Sequence, residues 1–158
     1  NVKNNFANNS QITITAGKLL VNPVIDFTNA GNITASGVEI EATGNFKNEG
    51  SFISENGEIN ITSANFENAQ SSELSANTGK ITISATGDFE NTGTLSFTGT
   101  LEAKNAVFNN VFTNQGNISI RTQATFANSV TNTGTIGTAS GAIIFSGEVI
   151  MSSLYSGS

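Results

Sequence analysis

Glu39 and Glu41 stand two residues apart, so in an extended strand both carboxylates project from one face. Such a pair could divide the labour of glycosidic hydrolysis, one as acid and one as base or nucleophile, or could share a calcium ion. Glu49, Glu67 and Glu90 offer a second set, with Glu67 and Glu90 each enclosed in a Phe-Glu-Asn triplet and Lys47 at the same place in the triplet before. The groups that would assist such carboxylates are few. The chain has no His, its only Arg is Arg121, and its only Asp residues are Asp26 and Asp88. No Gly-Gly-x-Gly-x-Asp nonapeptide is present, so the calcium-binding kind of repeat is not supported. Solvated outward positions account for these acids more simply than a catalytic pair does. No catalytic, cofactor-binding or metal-ligating residue is assigned, and no cofactor is expected.

Other chemistry is similarly bounded. There is no Cys, which removes disulfides and thiolate-bound metals. The net charge is −6, and Lys3, Lys18, Lys47, Lys80, Lys104 and Arg121 are scattered singly. A phosphate-tracking patch is therefore missing and nucleic acid is not expected as a partner. The same deficit argues against attachment to anionic lipid. Asn8, Asn32, Asn60 and Asn117 open Asn-x-Ser/Thr triplets, which are glycosylation acceptors in form and which an Asn- and Thr-rich composition also produces by itself.

The elements that carry these residues repeat. Phe or Val followed two residues later by Asn recurs at Phe27/Asn29, Phe46/Asn48, Phe66/Asn68, Phe89/Asn91, Phe112/Asn114 and Val130/Asn132, with a partial copy at Phe6. The fuller copies continue as Asn-x-Gly-x-Ile, as in Asn29-Ala-Gly31-Asn-Ile33. A second signature, Gly-x-Ile-x-Ile, follows at Gly57, Gly79 and Gly116. A period near 20 residues with alternating apolar positions predicts a stacked β-solenoid of seven to eight coils. It forms one domain, residues 1–158, and about 35 Å of rod at roughly 4.8 Å per coil. Charged residues make up 11% against about 25% in ordinary domains, which suits outward ladders where like charges would repel.

Stacking gives the repeat a physical cause. Copies of the anchor Phe form a column, and the Asn two residues on shares its inward side. A buried amide must be paired, and here it can donate to the copy on one coil and accept from the copy on the other. The Gly and Asn corners are expected to supply positive φ. The spacing from Phe66 to Gly79 is two residues longer than from Phe46 to Gly57, which places an outward bulge at 70–72. Between 101 and 132 the coil register stays open, because Phe108, Phe112 and Phe126 compete for the anchor position.

The motif Asn-x-Gly-x-Ile, preceded by an apolar-x pair and followed by an alternating strand, resembles the haemagglutinin-type repeats of filamentous haemagglutinin-like exoproteins. The resemblance runs from about Phe6 to Phe145, although those repeats more often carry Leu or Val at the anchor. It implies a right-handed parallel β-helix and a stalk of an adhesin or contact-dependent inhibition toxin, secreted by the two-partner route to the bacterial cell surface. The implied partners are neighbouring coils of the same exoprotein, an outer-membrane transporter during secretion, and a host or bacterial cell-surface receptor or glycan. The chain starts at Asn1 within a repeat, so it is expected to be an internal or processed segment of a longer array. A subunit that associates end to end is the next reading, and a glycan-binding or glycan-cleaving β-helix the third.

Overall fold

The computed structural model describes residues 4–97, 99–109 and 112–151. Every described regular element is a β-strand, and every pairing between strands is parallel. The chain winds about seven turns, with stacked residues roughly 19 apart, as a β-solenoid. Three strand positions recur in each turn and define three faces. The first holds Phe6–Asn8, Phe27–Asn29, Asn45–Asn48, Asn65–Asn68 and Asp88–Asn91. The second runs through 11–14, 32–35, Ser51–Ser54, Glu73–Ala76 and Thr94–Phe97. The third runs through 18–21, 37–41, Ile59–Ser63, Ile81–Ala85, 100–103, 117–120 and Thr135–Thr138.

Alternation decides what lies inside. In Ile59–Ser63 the residues Ile59, Ile61 and Ser63 are buried, while Asn60 and Thr62 face outward. The same parity buries Phe46 and Asn48 on the first face and Phe52 on the second. Eight Phe rings run along the axis, Phe6, Phe27, Phe46, Phe66, Phe89, Phe108, Phe126 and Phe145, with neighbouring centroids 4.5–5.1 Å apart. Fully burying one such ring contributes about 1.5–3 kcal/mol. Stacking makes that burial continuous.

The register between 101 and 132 is resolved by a displacement of the motif. Phe89 pairs with Ala106 and Asn91 with Phe108, so the fifth rung of the first face is followed by 105–108 and then by 123–126 and Ile143–Phe145. Phe112–Asn114 instead sits on the second face, beneath Thr94–Phe97, and Val130–Asn132 and Val149–Met151 follow it there. Phe112, Asn114, Val130 and Asn132 therefore do not share a column with Phe89 and Asn91, as one continuous ladder requires. The same motif has moved one face around the axis.

The corners depart from expectation too. Among the described residues only Gly17 and Ser71 have positive φ. Ser71 marks the turn at 70–72 that takes up the two extra residues. The remaining corner glycines are needed for a different reason, which is close stacking. A Cβ on Gly50 would overlap the carbonyl oxygen of Gly31 on the preceding coil, and one on Gly134 would overlap that of Gly116.

Candidate functional site

The motif asparagines form a buried side-chain ladder. Asn8 donates to Asn29 at 2.8 Å, Asn29 to Asn48 at 2.9 Å, Asn48 to Asn68 at 2.8 Å and Asn68 to Asn91 at 2.8 Å, each from Nδ2 to Oδ1. The second amide hydrogen bonds a backbone carbonyl on the next coil. Asn29 reaches Ser51, Asn48 reaches Glu73 and Asn68 reaches Thr94, at 2.8–3.0 Å. Each side chain thus ties its own coil to the corner of the next. Asn91 turns back to Gly93 O at 3.1 Å, and a second ladder begins on the second face, where Asn114 donates to Asn132 at 2.8 Å. All of these asparagines are buried.

An outer ladder lies on the first face as well, at the residue directly before each anchor Phe as far as Asp88 and then at Asn105, which precedes Ala106. Asn45 donates to Asp26 at 3.1 Å, Asn65 to Asn45 at 3.0 Å and Asn105 to Asp88 at 2.8 Å, while the Asp88 backbone N–H donates to Asn65 at 3.0 Å. Its donors point from later coils to earlier ones, opposite to the inner ladder. Asp is accepted here because a solvated position tolerates an acceptor-only group, whereas an inner position must donate and accept. The sequence carries a signal for this ladder, since Asn5, Asp26, Asn45, Asn65 and Asp88 each immediately precede an anchor Phe.

The carboxylates occupy outward positions. Lys47 aligns with Glu67 and Glu67 with Glu90 on successive coils. Lys47 Nζ lies 3.0 Å from Glu49 and 3.5 Å from Glu67. The bond to Glu49 first, and the charge of Glu67 next, hold the Lys47 ammonium more firmly protonated than usual. Asn109 donates to Glu90 at 3.2 Å. Asn45, Lys47, Asn65, Glu67, Asp88 and Glu90 line a shallow open groove of about 380 Å³. Glu39 and Glu41 do share a strand face, but Glu39 forms an ion pair with Lys18 across the coil. Among the described residues no group of three His, Asp or Glu is placed to hold a metal ion.

Charge is sorted by face. Lys47, Glu67, Asp88 and Glu90 lie in strands of the first face, and Lys18, Glu39, Glu41 and Glu102 in strands of the third. The strands of the second face carry Glu73 alone among the described residues. By register its outward residues include Thr13, Thr34 and Ile53 on the earlier coils and Thr113, Thr131 and Ile150 on the later ones. Of the glycosylation triplets, Asn8 is locked in the inner ladder, Asn60 is half-buried, and Asn32 and Asn117 are exposed. No protein-family model, curated protein or solved structure matches this chain.

Proposed function

We propose that this solenoid is a non-enzymatic structural or adhesive stalk segment of an exoprotein displayed on a bacterial cell surface. The observation that supports the reading is the axial continuity of the interior. Each rung pairs with the rungs directly above and below it, and the Phe column and the Asn ladders run along the axis. Such a molecule works as a spacer whose length is set by the number of coils. The nearly uncharged second face is the side that offers a neutral receptor or glycan the least electrostatic opposition. An outer-membrane transporter would handle the chain during secretion. End-to-end association into a filament is the second reading, favoured by half-buried Phe6 and Ile12 on the first described rungs and Ile143 and Phe145 near the last.

Antibody detection in fractions of the source cells tests the location, and sedimentation with electron microscopy tests the mechanics. Surface or medium localisation is expected, with discrete rods that shorten by about 4.8 Å for each coil deleted in frame. Recovery only from the cell interior refutes the stalk reading. Filaments that lengthen with concentration favour the second.

A further inference from the structure

We infer that Asn56 is a self-modifying site, converted by water and without an enzyme to aspartate and isoaspartate. None of the other asparagines is followed by Gly, whose bare Cα leaves its backbone nitrogen open to attack the preceding side chain. The structure leaves this pair free to react. Asn56 is exposed at the corner between the second and third faces, and neither its amide nor the Gly57 N–H has a hydrogen bond among the described residues. The inner-ladder asparagines are the opposite case, buried with their amide nitrogens hydrogen-bonded.

The step is balanced by water alone. The Gly57 nitrogen attacks Asn56 Cγ, a carbon–nitrogen bond forms, and the side-chain nitrogen leaves as ammonia with the Gly57 proton. The cyclic imide then takes up water. Opening at the side-chain carbonyl gives aspartate at 56, and opening at the main-chain carbonyl routes the backbone through Cγ as isoaspartate. Either product adds one negative charge between Glu55 and Glu58, both exposed.

The two products differ in fit. Gly57 packs between the corners of Gly37 and Gly79, so closely that a Cβ on Gly57 would overlap Ser36 O and one on Gly79 would overlap Gly57 O. Ser54 Oγ donates to Gly57 O at 2.8 Å, and Glu55 N–H donates to Ala35 O at 2.9 Å. Aspartate keeps that backbone. Isoaspartate lengthens the main chain by one atom at residue 56, directly before this closely stacked glycine, so the corner is expected to open and become accessible to proteases.

The test is incubation of the folded chain in mildly alkaline buffer made with ¹⁸O water, followed by peptide mass spectrometry. The expected result is heavy oxygen at residue 56 ahead of every other Asn, an isoaspartate fraction, and a protease cut near 56 in the aged chain only. Asn56→Gln should lose all three signals while keeping the strand circular dichroism. Two results overturn the inference. One is residue 56 unchanged in the folded chain over a period in which the urea-unfolded chain reacts there. The other is a different Asn converting first.

Discussion

Truncating Asn48 to Ala separates the worth of a buried amide ladder from that of an exposed one. Asn48 is fully buried and makes three side-chain hydrogen bonds, accepting from Asn29 at 2.9 Å and donating to Asn68 and to Glu73 O at 2.8 Å each. At about 0.5–1.5 kcal/mol net per bond, their loss sums to about 1.5–4.5 kcal/mol. Two of the abandoned partners keep a second bond. Asn29 still donates to Ser51 O at 3.0 Å, and Asn68 Oδ1 still accepts from Ser72 at 2.8 Å. The cost should therefore fall in the middle, about 2–3 kcal/mol. Asn45→Ala removes two ladder bonds of similar length, at 3.0 and 3.1 Å, but from an exposed side chain whose partners water can serve. Its cost should stay below about 0.5 kcal/mol. Urea melts followed by circular dichroism suit a chain without Trp. Equal shifts of the two midpoints, or an Asn48→Ala change below about 0.5 kcal/mol, would refute the argument that burial gives the inner ladder its strength.

Four further outcomes are expected. Asn48→Asp sets a carboxylate oxygen against Asn68 Oδ1, and burial raises the folded pKa above the unfolded value of about 3.9. Its stability relative to the parent should therefore be best at low pH and fall as pH rises through the folded pKa, which melts at several pH values would show. Ser63→Ala should stabilise by up to about 1 kcal/mol, because the Ser63 hydroxyl is buried without a partner and its stacked neighbour on the next coil is buried Ala85. Phe66→Ala should cost about 3–5 kcal/mol in the same melts, since the ring is sandwiched at 4.9 and 4.8 Å between Phe46 and Phe89. Gly50→Ala should lower the yield of folded protein through its clash with Gly31, while Gly137→Ala, whose Cβ meets nothing within 4 Å, should be neutral or slightly stabilising.

The solenoid was legible because its period and its alternation are both carried by large residues. Phe27, Phe46, Phe66 and Phe89 are simultaneously the most visible letters of the repeat and the rings that stack. The displacement after Asn91 was not legible for the same reason. A strand shows its neighbours only alternation, so a Phe-x-Asn triplet fits the second face as well as the first. The interval from Phe89 to Phe112 matches that from Phe66 to Phe89, yet the earlier one contains a bulge and the later one a normal coil to Phe108 plus a move to the next face. Corner glycines were assigned to positive φ because one sequence shows no neighbour above or below. The clash that requires them comes from another coil.

The opposed direction of the two ladders has an electrical consequence. Amides joined head to tail polarise one another and add their dipoles, much as peptide units do along a helix. The inner series from Asn8 to Asn91 sends its donors toward higher residue numbers, and the outer series through Asn105, Asn65 and Asn45 sends them back. The outer amides lie one residue before the Phe column and the inner ones two residues after it, so on the coils that carry both, the outer dipole opposes the inner one along the axis. A coil that carries both an inner and an outer amide therefore adds less to the polarity of the bar's two ends than a coil with the inner amide alone.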